Sequence, residues 1–203
     1  MGRTRLGRLA AVTVPATVVS LGFGYAMLQG MVSAQLSAAE PFQVTGASAN
    51  ATGLEVSLRS VTTATSNDNG AETEKKSALV TLKNGNLNDL CLAANQPVPL
   101  LGNIGVNLTA NGNVNLGAVT DMSADDVAAA SATLPSTEIG VAQSQLDHQK
   151  DVAKGYAPGG WGLESTGAVQ LNNLDAKTYA LSLGSLDLSS GLRILPKLGT
   201  ATC

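Results

Sequence analysis

Apolar and polar residues alternate one by one through most of the chain after residue 40, and this period of two constrains the fold more than any other feature. Phe42, Val44 and Gly46 occupy alternate places, and Leu54, Val56 and Leu58 follow with Glu55, Ser57 and Arg59 between them. Successive side chains of an extended strand point to opposite faces, so the pattern predicts strands with one face on a core. It resumes over residues 78–83, at Ile104, Val106 and Leu108, at Val114, Leu116 and Ala118, and again from Val169 to Ile194. Asn84-Gly85 and Asn111-Gly112 stand between apolar runs, where residues that tolerate positive φ predict two hairpin turns. Residues 65–76 read as an exposed loop, and the glycines around Trp161 as another. Two short helices are expected. One starts at Ser123 as N-cap, with Asp125 and Asp126 in its first turn, and the other lies around residues 144–152. Short strands at regular spacing with Gly and Asn turns predict a mainly β domain, an antiparallel β-sandwich or jelly roll.

Ahead of this domain, Arg3, Arg5 and Arg8 precede an uncharged apolar run over residues 9–28, which reads as an apolar helix. Positive charge before such a helix keeps that end in the cytoplasm and sends the rest across the membrane. Val32-Ser33-Ala34 fits the small-x-small cleavage rule and makes Ala34 and Gln35 the scissile pair, with a second site after Ser37-Ala38-Ala39. The run is also long enough, at roughly twenty residues, to remain as a single span. Residues 1–34 are therefore a signal peptide or membrane anchor, and residues 35–203 an exported β domain. That domain is extracellular, or tethered to the cytoplasmic membrane with its C-terminal part outside.

Removing residues 1–34 takes three of the 12 basic residues and none of the 15 acidic ones, leaving a net charge near −6. Lys75-Lys76 is the only basic pair, and Glu72 and Glu74 beside it cancel most of its field. Nucleic acid and anionic lipid surfaces need clustered Lys or Arg, so neither is an expected electrostatic partner. Aromatic residues make up 3% of the chain, so the core is expected to be aliphatic. Trp161, between Gly159-Gly160 and Gly162, reads as a plug over that core. Were it exposed instead, Tyr156 and Trp161 would form a contact for a partner or a lipid surface. Cys91 and Cys203, an even count in an oxidising compartment, are expected to pair as one disulfide.

The chemistry of an enzyme is hard to find. The chain has no G-x-S-x-G turn and one histidine, His148. With Asp147 and Asp151 nearby it would form a triad only if a distant serine folded onto it; the simpler reading is a solvated histidine. Asp121, Asp125 and Asp126 lack the spacing of a calcium loop, and one histidine with two paired cysteines cannot build a zinc site. No cofactor or metal is expected. These residues point to a non-enzymatic structural or interaction protein of the cell envelope or exterior. Two rivals stand beside it: an esterase or lipase using His148, and a lipid or sterol binder whose leucine-rich sheets enclose a cavity. Self-association has one route, in which the extended segment 40–47 adds as a strand to a neighbour's sheet edge.

The start Gly2-Arg3-Thr4-Arg5-Leu6-Gly7-Arg8, the apolar run with Gly22-Phe23-Gly24, the entry strand Pro41-Phe42-Gln43-Val44, the strand Leu90-Cys91-Leu92 and the late strands over 179–195 resemble a family of exported actinobacterial proteins of unknown function. Some members of that family carry the label cholesterol esterase. The resemblance extends over nearly the whole chain and implies a membrane-protein partner, with no catalytic residues to carry over.

Overall fold

β1 (Ala34–Ala64) and β2 (Glu72–Val98) form an antiparallel ladder from Gln43 opposite Ala93 to Ala64 opposite Glu72 with no register shift. The computed structural model describes residues 34–64, 72–98, 102–149, 160–188 and 191–203. It adds β3 (Gly102–Ala128), β4 (Ser131–Thr133), β5 (Thr137–Ala142), β6 (Trp161–Leu183) and β7 (Arg193–Leu198), with a single 3-10 turn at Gln143–Gln145. Every pairing is antiparallel, and the fold is mainly β as the alternation predicts.

The sheet runs in the order β4-β6-β1-β2-β3-β7, and β3 also pairs with β6. Thr120 to Ala128 of β3 lie against Asp175 to Leu183 of β6, so β1, β2, β3 and β6 close into a ring. These four strands run from 23 to 31 residues, far beyond the usual 3–10, and their β1–β6, β2–β3 and β3–β6 ladders carry register shifts. At such β-bulges an extra residue on one strand kinks the ladder and raises its twist. Asn84 and Asp89 of β2 and Gly112 and Gly117 of β3 all have positive φ beside the two register shifts of the β2–β3 ladder. Asn84-Gly85 and Asn111-Gly112 therefore do not reverse the chain as expected from the sequence. The same backbone preference is spent on bending continuous strands.

Further expectations change. Residues 72–76, read as loop, continue β2 opposite Ser60 to Ala64; residues 65–71 lie outside the described residues. Ser123 begins no helix, because β3 runs on to Ala128 and its backbone is paired with β6, which closes the ring. The Thr178 hydroxyl also donates to the Ser123 carbonyl at 2.8 Å. Of the second helix, the structure shows a 3-10 turn at Gln143–Gln145 and a helical residue at Gln149, and residues 150–152 lie outside the described residues. Segment 40–47 is not free to join a neighbour, since Gln43 to Thr45 have β2 on one side and β6 on the other.

The ring encloses an aliphatic core that gathers Leu82, Leu87, Leu90, Leu174 and Leu181 with Phe42. Each such leucine contributes about 1.5–3 kcal/mol on burial. Gly46 admits Leu87, whose side chain lies 2.6 Å from where a Cβ would stand. Cys91 and Cys203 are bonded, with Cα atoms 5.9 Å apart and a sequence separation of 112. Closing so long a loop stabilises the fold by up to about 4–5 kcal/mol in the chain-entropy account. The expected apolar helix lies outside the described residues, among which no helix is long and apolar enough to cross a membrane.

Candidate ligand-binding site

At one mouth of the ring the inward-facing positions run out before they meet, and a cavity of about 440 Å³ is left. Leu54 and Val56 of β1, Val80 of β2, and Leu163 and Leu171 of β6 line it, and Leu134 closes it from the β4–β5 connection. That connection is held in place. The buried Ser165 hydroxyl donates to the Pro135 carbonyl and the Thr137 hydroxyl to the Leu134 carbonyl, both at 2.6 Å, around Ser136 at φ 47°. Asp125 and Asp126 stand at the rim, both exposed. A second apolar space of about 110 Å³ lies among Leu82, Leu87, Leu116, Met122, Leu181 and Leu183. The interior thus has aliphatic-lined room at two levels. Ligand pockets of a few hundred Å³, mostly apolar with a few polar groups at one end, are the usual form of small-molecule sites.

Beside the mouth, β3 parts from β2 and opens a groove of about 550 Å³ bordered by Leu58, Arg59, Ser60, Lys76 and Ser77. Ala78 and Asp125 line both the groove and the cavity. Burial lowers the pKa of the Arg59 guanidinium, opposed by the attraction of Asp121. Lys76 donates to the Ser60 hydroxyl at 3.0 Å.

The outer face of the ring carries a polar cluster that the alternation assigns to solvent. Glu164, Glu55, Thr81 and Asp121 are successive register partners across β6, β1, β2 and β3. The segment 143–149 lies over them and buries Glu55 and Thr81 completely. Glu55 accepts the backbone N–H of His148 at 3.2 Å and of Gln149 at 3.0 Å, and Lys83 Nζ lies 2.6 Å from its Oε1. Gln149 Nε2 is within 3.0 Å of the carbonyls of Glu55 and Leu79 and of the Thr81 hydroxyl, and Gln143 donates to Ser57. Burial pulls the pKa of Lys83 down. The hydrogen bond and charge of Glu55, with Asp147 and Glu164 behind it, more than offset this and leave it raised. Glu164 is also raised, by burial first and then by repulsion from Glu55, against the attraction of Lys83. None of this was foreseen. The one available signal was Leu146, the lone apolar residue in Gln143-Ser144-Gln145-Leu146-Asp147-His148-Gln149, which is fully buried.

The positions of the expected site residues follow from this frame. His148 is half-buried, and its Nε2 lies 3.1 Å from Asp121 Oδ2 rather than beside Asp147, which is 75% exposed; Asp151 lies outside the described residues. The hydroxyl at the far side of Asp121 belongs to Thr81, which donates to the carboxylate at 2.6 Å. The order is hydroxyl, carboxylate, imidazole, whereas a hydrolase needs the imidazole between the other two to take the proton from the nucleophile. Among the described residues no three or more His, Cys, Asp or Glu are gathered as metal ligands. Trp161 opens β6 opposite Ala142 at 44% exposure, so it does not plug the core, and Tyr156 lies outside the described residues. Ala34 and Gln35 begin β1 opposite Leu183 and Ser182.

No match to the chain is found among curated proteins or among solved structures. Residues 38–203, which contain the ring, the mouth cavity and the disulfide, match one family over their whole length, and the chain belongs to it: a family of unknown function (DUF6230).

Proposed function

We propose that this chain is a non-enzymatic binding module of the cell envelope or exterior, and that it takes an aliphatic chain into the mouth of its ring. The observation that carries this reading is the cavity of about 440 Å³ among Leu54, Val56, Val80, Leu163 and Leu171 under Leu134. Burial of apolar ligand surface there is favoured by the same transfer free energy that builds the core. The disulfide fits an oxidising, extracytoplasmic setting, and the apolar run over residues 9–28 supplies the export signal. Cleavage between Ala34 and Gln35 would free the domain, and retention would hold it at the membrane beside a membrane-protein partner. The intact mass of the protein from its host decides between the two. An esterase role gains no support from His148, whose Nε2 is engaged by Asp121.

The binding test is calorimetric titration of the exported domain with dodecanol, a neutral single-chain probe. One-to-one binding is expected, abolished by Ala132→Phe, which places a ring at the cavity wall, while the thermal midpoint is retained. Failure of the unaltered domain to bind dodecanol overturns the reading.

A further inference from the structure

We propose that the groove beside the mouth is an anion site continuous with the aliphatic cavity, so that the ligand is a single-chain anionic amphiphile with its carboxylate or phosphate on Arg59 and Ser77. The inference rests on the proposed binding of an aliphatic chain and adds the headgroup. Arg59 and Ser77 are direct register partners across the β1–β2 ladder and border the same groove. Ser77 is only 7% exposed, and its hydroxyl is buried with no hydrogen-bond partner. The Nε of Arg59 is likewise buried with none. Native structures satisfy nearly all such groups, so two orphaned donors facing one another call for a specific explanation.

Both donors are met by one acceptor. A carboxylate or phosphate takes N–H from the guanidinium, whose planar fork matches either group, and O–H from the serine. Arg59 supplies the guanidinium charge of the groove, with the carboxylate of Asp125 on its border. Arg59 is also drawn toward Asp121, so its charge is partly answered, yet that attraction supplies Nε with no hydrogen bond. Ala78 and Asp125 are common to groove and cavity, which makes the polar and apolar compartments adjoin. Arg59 and Ser77 lie on the outer face and Leu54, Val56 and Val80 on the inner one, so an unbranched chain from the groove enters the cavity over the edge of β2 at Ala78, where its pairing with β3 begins.

The test compares dodecanoate with dodecanol by calorimetry on the exported domain, with inorganic phosphate as the free-anion control. Dodecanoate is expected to bind about tenfold more tightly than dodecanol, the gain typical of a charge-assisted hydrogen bond. Arg59→Gln removes that difference, and a retained thermal midpoint shows that the variant is folded. Arg59→Lys restores part of it, and Ser77→Ala weakens dodecanoate alone. Equal affinity of the unaltered domain for the two probes overturns the anion site and leaves the aliphatic reading standing. Binding of neither overturns both. Phosphate binding as tightly as dodecanoate makes the groove a site for free anions and overturns the amphiphile.

Discussion

Asn95 holds Ala201 by both of its main-chain groups: the Ala201 N–H donates to Oδ1 at 2.6 Å, and Nδ2 donates to the Ala201 carbonyl at 3.0 Å. A side-chain amide here does what a neighbouring strand would do. Gly105 of β3 allows the close approach, because a Cβ there would lie 2.6 Å from the Ala201 backbone nitrogen. Asn107 donates to the Thr202 carbonyl at 2.7 Å and Gln43 accepts the Cys203 N–H at 3.1 Å, so the tail is seated residue by residue up to the disulfide. Asn95→Ala is therefore expected to cost about 1–3 kcal/mol, the range for leaving hydrogen-bonding groups unpaired at a partly buried site. Urea unfolding measures it. Reduction of the Cys91–Cys203 bond by dithiothreitol should become faster in the same variant, since the tail that shields it is released. An unchanged reduction rate would mean that the disulfide alone seats the tail.

Lys83 and Glu55 form the second fastening, on the outer face. Lys83→Met leaves the fully buried Glu55 carboxylate with only the N–H groups of His148 and Gln149. Breaking one side of such a pair is expected to destabilise by about 3 kcal/mol. The measurement with the sharpest reading is amide exchange at His148 and Gln149. It should accelerate in Glu55→Leu, which removes their acceptor, far more than at Leu92 in the core. Uniform acceleration would instead show that the segment opens only with the whole fold.

The sequence announced a mainly β fold and an aliphatic core because alternation and composition are local quantities, and both survive into the structure at Leu54, Val56, Leu82 and Leu181. The turns were misread for a physical reason. Asn84 and Gly112 do take positive φ, but that conformation serves a bulge as well as a reversal, and only the pairing of distant strands distinguishes them. The helix expected at Ser123 failed because closing the ring against β6 outweighed a local N-cap. Of the candidate site, Val56 was legible as a core position, but the cavity beside it was not. A cavity is a deficit of contacts among residues from five strands, and no single segment encodes it. Glu55 and Thr81 were assigned to solvent correctly by face and wrongly by environment, since the segment that covers them lies more than sixty residues away.

Gly117 and Gly102 separate backbone preference from crowding. Both have positive φ, at 85° and 78°, so an alanine pays the left-handed penalty at either place, about 1–2 kcal/mol. At Gly102 nothing lies within 4 Å of the added Cβ, whereas at Gly117 it would meet the Ser185 backbone nitrogen and, at 2.7 Å, the Ser185 hydroxyl. Gly117→Ala is expected to lose about 1–3 kcal/mol more than Gly102→Ala, as overpacking does. Urea midpoints of the two variants supply the comparison. Equal losses would show that the segment bearing Ser185 moves aside freely.

Glu164 gives the fold a pH dependence whose sign can be worked out. Its register partners are Glu55 on β1 and Glu138 on β5, and it is 19% exposed, so burial and like charge outweigh the pull of Lys83 at 3.9 Å. Its pKa in the folded chain therefore lies above the ordinary 4.5. The folded state keeps this proton to higher pH than the unfolded state does. Stability from this group is thus fully present below pH 4.5 and lost as pH rises through the raised value. Glu164→Gln mimics the protonated form at every pH. It should be more stable than the parent chain at pH 7, by up to about 1 kcal/mol for a group still reached by solvent. The advantage should disappear in urea titrations at pH 4, where the parent carboxyl carries its proton. A gap of the same size at both pH values would assign the effect to packing of the amide, and a reversed gap would mean that the contact with Lys83 dominates after all.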